Sequence, residues 1–234
     1  MTLLTTTSSV ALPQWTAFFN NFPLFLKAFL YTLGVSLAAL LLAMVLGVII
    51  GGLSTAKQKG NRVIARVYVE FYQNTPLLVQ VVFMYYGLAI ISKSFIMPSA
   101  FLTTVCCVGL YHAAYIAEVI RSGIEAVPKG QTEAALSQGF TRLQTMSLII
   151  IPQAVRTILP PLTNQVVNLI KNTSIVAIIS GADLMFTAKV WAYDTTYYYV
   201  PAFAGAAFLY FILCFPIAIF GRRQEERNKE TYSL

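Results

Sequence analysis

Five stretches of this chain stay apolar for about twenty residues or more, and no other feature limits its fold so strongly. They lie at about 28–53, 61–92, 98–121, 158–180 and 201–220. Roughly 20 helical residues cross the ~30 Å hydrocarbon core of a bilayer. Hydrocarbon offers backbone groups no water, so a segment that crosses it satisfies its own hydrogen bonds as a helix. The second run is interrupted by Thr75-Pro76. The fold class expected is therefore all-α: a polytopic membrane bundle of about five transmembrane helices. Charge agrees, because only 11% of residues are charged against 57% hydrophobic, whereas soluble domains carry about 25% charged residues.

The net charge of +7 would suggest nucleic acid in a soluble protein. Here the cations sit in short loops between apolar runs, so no nucleic-acid partner is expected and the pattern reads as membrane orientation. Lys57, Lys59, Arg62 and Arg66 follow the first run. Arg121, Lys129, Arg142 and Arg156 surround the connection between the third and fourth runs, and Arg222, Arg223, Arg227 and Lys229 fill the tail. The opposite side has Lys27, Lys93 and Lys189. The first group is expected in the cytoplasm, with the N-terminus outside and the C-terminus inside. No cleaved signal peptide is expected, residues 1–12 are expected to be loose, and the aromatic segment from Pro13 to Lys27 is expected to lie in the interface. Cys106, Cys107 and Cys214 fall inside apolar runs and read as small packing residues rather than disulfide partners. Ala43, Gly47 and Gly51 recur every four residues, which suits close helix approach, either inside the chain or between subunits.

Between the third and fourth runs lies a polar insert at about 122–145, then a short apolar helix expected to end near Pro152. Pro152, Pro160 and Pro161 each remove a backbone donor and are expected to kink or end helices. Leu136, Phe140 and Leu143 are spaced for one helical face. Glu133 and Ala134 are expected in the first turn, where an acid suits the helix dipole. Gly139 is expected in mid-helix, at a cost of about 1 kcal/mol against Ala that close approach of another backbone would explain. Such a helix either docks a partner chain or folds onto the membrane surface.

The insert reads Glu133-Ala134-Ala135, then Gly139, Ile149 and Pro152, which resembles the EAA loop of ATP-binding-cassette (ABC) importer permeases. Thr75-Pro76-Leu77-Leu78-Val79-Gln80, Tyr115-Ile116-Ala117-Glu118-Val119-Ile120-Arg121, Pro128-Lys129-Gly130-Gln131, Pro152-Gln153-Ala154 and Lys171-Asn172-Thr173-Ser174 resemble the polar amino-acid branch (histidine, glutamine, glutamate, arginine, cystine, opines). The likeness covers about 22–221, within an expected permease domain at 28–221 that follows residues 1–27 and precedes a cytoplasmic tail at 222–234. Two departures stand out: Gln73-Asn74 lacks a basic residue common there, and Ile175 replaces the usual Leu. The resemblance implies a second permease copy, identical or similar, and a cytoplasmic ABC ATPase dimer holding ATP and Mg. It also implies an extracytoplasmic amino-acid-binding protein. The ATPase-coupling residues it implies are Glu133, Ala134, Ala135 and Gly139, with Lys129 and Arg142 flanking. No Gly-rich loop ending in Gly-Lys-Ser/Thr occurs, so this chain is expected to need a separate ATPase and not to be an enzyme itself.

The fourth run is unusually polar: Asn164, Gln165, Asn168, Lys171, Asn172 and Ser174. Residues 164, 168, 171 and 175 share a face, with 165 and 172 beside it. A mid-membrane lysine costs about 2.5–3.5 kcal/mol on insertion scales, so Lys171 should face a cavity, a substrate carboxylate, a backbone carbonyl or an acid. These six residues and Gln80 are the candidate substrate pathway. The absence of an acid in this run favours glutamine, glutamate, aspartate or a similar cargo. Glu118–Arg121 and Arg121–Glu125 are spaced for intrahelical pairs, His112 reads as packed or hydrogen-bonded, and Asp183 and Asp194 read as solvated loop acids. The alternative of an ion-coupled secondary amino-acid transporter has only Glu70 and Glu118 as membrane acids. A membrane enzyme would have a single histidine to work with, and a mere anchor leaves the polar fourth run unexplained.

Overall fold

The computed structural model describes residues 5–95, 97–195 and 198–232, with side chains described within 13–228. The elements are α1 (Thr5–Asn20), α2 (Phe22–Ser54), α3 (Lys59–Gln73), α4 (Leu77–Val82), α5 (Leu88–Ile91), α6 (Ala100–Glu125), α7 (Lys129–Ser137), α8 (Arg142–Gln144), α9 (Ile151–Asn172), α10 (Leu184–Asp194) and α11 (Tyr199–Tyr232). A π-helical turn at Phe83–Gly87 joins α4 to α5, another at Thr145–Ile150 joins α8 to α9, and 3₁₀ helix at Thr173–Ile179 follows α9. Four segments are long and apolar enough to cross a membrane: Phe22–Ser54, Ala100–Glu125, Arg142–Ile179 and Tyr199–Asn228. The fifth candidate is the pair Lys59–Gln73 and Leu77–Ile91, bent by 93°.

Several boundaries differ from the sequence reading. Residues 1–4 lie outside the described residues, but Thr5 onward is helical rather than loose. Lys27 lies inside α2, which starts at Phe22 with Pro23 in its first turn, where a missing N–H costs nothing. The second run does not cross straight, because Pro76 disfavours helix at Thr75 and the chain turns there. Pro152 ends nothing: it sits in the first turn of α9, and α9 carries Pro160 and Pro161 in its interior. The preceding π-helical turn gives the backbone a route into Pro152 without an α-helical donor there.

The frame is the parallel pair α2 and α6. Ala39, Ala43, Gly47 and Gly51 are buried on one row of α2. A Cβ on Gly47 would stand 2.6 Å from Ile116, and one on Gly51 would stand 2.9 Å from Ile120. Thus the small-residue row serves packing inside the chain. Gly109 answers from α6, where a Cβ would meet Leu42 at 2.8 Å. Tyr68 of α3 donates to the Leu110 carbonyl of α6 at 2.8 Å. α9 docks where a Cβ on Gly123 would strike Ile158, and α11 docks where one on Gly221 would strike Thr163. Near the opposite end, Phe18, Phe25, Trp191, Ala202 and Leu209 share an apolar core. These contacts gather the ends of α2, α6 and α11 and the starts of α3 and α9 on one side. Lys57, Arg121, Arg156 and Arg222 therefore fall at one end of the bundle, called here the basic end. The three cysteines are free, with Cys107 and Cys214 buried.

Gly47→Leu should overpack the α2–α6 seam and destabilise the protein by about 1–3 kcal/mol. Gly52→Ala, in the same helix but beside open space, should leave stability unchanged or raise it by up to about 1 kcal/mol. Thermal unfolding of the purified chain in detergent checks both; equal melting temperatures would contradict the packing account.

Candidate functional site

Two features lie outside the packed core and bear chemistry: a small helical turn at the basic end and a polar face on α9. The first begins at Pro128, whose extended backbone starts α7. α7 stops at Ser137 because Gly139 takes a left-handed conformation with φ of 85°. The Phe140 N–H donates to the Ala135 carbonyl and the Gly139 N–H to that of Leu136, each at 3.1 Å. This pair of bonds is the Schellman cap, and its left-handed residue is most often Gly. Gly139 is thus no mid-helix residue, and space around its Cβ position is open. The reason for Gly is backbone conformation, not a close neighbour. Leu136, Phe140 and Leu143 accordingly do not share one helix. Glu133 lies past the first turn of α7, which carries no acid.

The chain re-enters helix at once. The Thr141 hydroxyl accepts from the Gln144 N–H at 3.3 Å, and the Gln144 side chain accepts from the Thr141 N–H at 2.9 Å. This is a capping box, and its sequence signature is the Thr-x-x-Gln of residues 141–144. Among the proposed coupling residues, Lys129, Glu133, Ala134, Gly139 and Arg142 are exposed, whereas Ala135 is buried with Thr145 and Ile150. Ala135 therefore packs the turn onto its own chain. Leu143 is 79% exposed at the tip of the turn, an apolar side chain with no cover in this chain.

α9 leaves this turn through the π-helical segment and carries the second feature. Asn164, Asn168 and Lys171 are exposed on one row, while Thr163, Val167, Leu169 and Ile170 pack inward. Lys171 pairs with no acid or carbonyl among the described residues; it lines a cavity of about 340 Å³ with Ser174, Met185, Phe203, Ala206 and Tyr210. The Ser174 hydroxyl donates to the Lys171 carbonyl at 2.7 Å. Asn172 turns sideways, its amide 3.0 Å from Nε2 of buried His112, with Gln165 beside the same ring. Tyr111 and Tyr115 pair through their hydroxyls at 3.0 Å on the same helix as His112. Gln80 is tied back to Thr75, its amide donating to the hydroxyl at 2.7 Å, which steadies the bend before α4.

The acids separate clearly. Arg121 is held by both Glu118 and Glu125, as their spacing implied. Asp194 is exposed, but Asp183 is 1% exposed and not a solvated loop acid. It caps α10 by accepting from the Phe186 and Met185 N–H groups at 3.0 and 3.1 Å, and it accepts from the Tyr210 hydroxyl at 3.3 Å. The neighbouring Leu184 N–H donates to Thr32 of α2. These contacts turn the chain inward after the 3₁₀ segment and bury the carboxylate. Asp183, directly before the run Leu184–Asp194, carries the sequence signal of an N-cap, which Asp194 at the end of that run lacks.

Residues 43–230 match the family described as binding-protein-dependent transport system inner membrane component. A probable glutamine ABC transporter permease of Bacillus subtilis, GlnM, is 36% identical over 92% of this chain and 97% of its own length. A probable amino-acid ABC transporter permease of the same organism, YckA, is 34% identical over 92% and 96%. Among solved structures, an amino acid ABC transporter crystallised with histidines is 32% identical, with a TM-score of 0.83 over 91% of this chain and 98% of that one. The MetNI methionine ABC transporter, 19% identical with a TM-score of 0.70 over 86% and 94%, shares the fold.

Gly139→Ala should cost about 1–2 kcal/mol of local stability through the left-handed backbone. Amides of α7 should then exchange with deuterium roughly tenfold faster, and Gly139→Asn should lose less. Unchanged exchange in the Ala variant would contradict the cap assignment.

Proposed function

The chain belongs to the binding-protein-dependent transport system inner membrane component family, and we propose that the cargo it passes is a polar amino acid of the glutamine type. It is a multi-pass inner-membrane permease subunit of an ABC amino-acid transporter, not an ion-coupled carrier. The observation that carries the cargo assignment is the exposed row Asn164, Asn168 and Lys171 within a membrane-spanning segment. Polar groups left in hydrocarbon are costly, so this row belongs beside water, cargo or a second copy of the chain. Lys171 supplies a cation for the carboxylate common to amino acids, and the amides of Asn164, Asn168 and Gln165 suit a polar side chain. No acid stands on α9, which disfavours a cationic cargo, and the relative GlnM is named for glutamine.

The partners follow from the two surfaces. A second permease copy, identical or similar, closes the path over the α9 row. A cytoplasmic ATPase dimer, which holds ATP and Mg, receives the turn built by α7 and Thr141. Glu133, Ala134, Lys129, Arg142 and Leu143 touch that partner there; Gly139 shapes the turn and Ala135 anchors it. An extracytoplasmic binding protein delivers the amino acid at the opposite end. This assignment makes the basic end cytoplasmic, with the N-terminus outside and the C-terminus inside. Movement of α7 then reaches Lys171 along α9 itself. That rod is bounded by π-helical and 3₁₀ segments, departures from α-helix that often mark hinges.

The test is reconstitution with the ATPase and the binding protein in lipid vesicles. Glutamine uptake should require ATP. Glu133→Lys should abolish co-purification of the ATPase and cargo-stimulated hydrolysis. Lys171→Gln should keep the complex intact but lower uptake by about tenfold, the worth of one charge-assisted hydrogen bond. Normal uptake by Lys171→Gln would overturn the pathway assignment, and normal coupling in Glu133→Lys would overturn the docking one.

A further inference from the structure

We propose that α3 carries a binding site for an anionic phospholipid of the cytoplasmic leaflet. The inference rests on the reading above only for which side the basic end faces. α3 is the most two-sided helix of the chain. Ala65 is fully buried and Tyr68 is fixed to α6 through its hydroxyl. On the outer side Val63, Ile64, Val67 and Phe71 are all more than half exposed. With Tyr68 and Tyr72 they line an open groove of about 470 Å³. The floor is rigid, because the Tyr68 and Tyr72 rings pack 4.7 Å apart and Phe71 meets Tyr72 edge to face at 5.1 Å. The groove spans residues 63 to 72, about 13 Å of helix at 1.5 Å per residue. That length suits the upper part of an acyl chain.

At the basic end of this groove stand cations that neither ion pair at Arg121 engages. Lys57, Lys59, Arg62 and Arg66 are exposed. None of the four forms an ion pair with an acid among the described residues. Lys59, Val63 and Val67 follow at four-residue steps, so Lys59 heads the apolar row, while Arg62 and Arg66 form the adjoining row. Space above Gly60, between them, is open. A phosphate there would meet several cations while its chain lay in the groove, which is the complementarity an anionic headgroup offers and a neutral one lacks. Basic residues beside a membrane each attract anionic lipid by an amount equivalent to about fivefold in binding. An acidic surface of a partner protein could meet the same cations but would not fill a groove at membrane depth.

The experiment uses the permease–ATPase complex, purified in detergent and exposed to spin-labelled phosphatidylglycerol or phosphatidylcholine. Phosphatidylglycerol should be immobilised on the complex about fivefold or more in preference to phosphatidylcholine. Lys59→Gln with Arg62→Gln should bring the two lipids close to parity. Val67→Trp, which fills the groove and leaves every charge, should release bound phosphatidylglycerol. Equal retention of both lipids by the parent complex would overturn the proposal. So would an unchanged preference in the Gln variant, or a Gln variant that loses its ATPase while keeping its lipid. Retention is read without transport, so a complex that takes up glutamine but shows no lipid preference refutes this site alone.

Discussion

Asn164, Asn168 and Lys171 stand on the outside of this chain within a segment otherwise suited to hydrocarbon, and the cost of leaving them there governs the rest of the arrangement. A membrane bundle has no hydrophobic drive to hide apolar side chains, since lipid receives them as readily as a core does. What it must hide is polarity. The chain hides most of its own. His112 meets Asn172, Asp183 is consumed in the α10 cap and by Tyr210, and Arg121 is held by its flanking acids. The α9 row is left over, and the path for a polar cargo proposed above would use such a remainder.

The frame that presents this row is built from glycine. Gly47, Gly51 and Gly109 bring α2 and α6 into contact closer than any side chain permits. Gly123 of α6 and Gly221 of α11 let Ile158 and Thr163 of α9 approach those two helices. One side of α9 is thereby fixed by van der Waals contact, and the other stays free. At its basic end the rod continues through π-helical turns into α8 and the capped turn at Gly139. A force applied to α7 therefore has a short helical route to Lys171. In the proposed function, that route would carry movement of the ATPase to the cargo.

Much of this was legible in the sequence, because long apolar runs and mid-membrane polar residues obey strong rules. The approximate place of each apolar segment, the polar face of α9, the Arg121 pairs and the packed histidine follow from length, spacing and charge alone. The reading failed where a residue type has two uses. Gly139 can relieve crowding or adopt positive φ, and only the backbone shows the second. Pro152 can end a helix or begin one, and the π-helical turn before it decides. Asp183 stands at an N-cap position and Asp194 at a helix end, but the burial of Asp183 comes from Tyr210 and the inward turn at the start of α10. The 93° bend at Pro76 was announced by Thr-Pro, although its size depends on how α4 packs against α6.

The most direct check of the central claim is solvent access to the α9 row. Asn168→Cys would be introduced after Cys106, Cys107 and Cys214 are replaced. The reconstituted transporter would then be treated with a membrane-impermeant thiol reagent from either side, without ATP and with ATP trapped. Labelling confined to the cytoplasmic side without ATP, and to the outer side with ATP trapped, is the expected result. Labelling from neither side in either condition, or labelling indifferent to ATP, would mean that the row does not line the transport path.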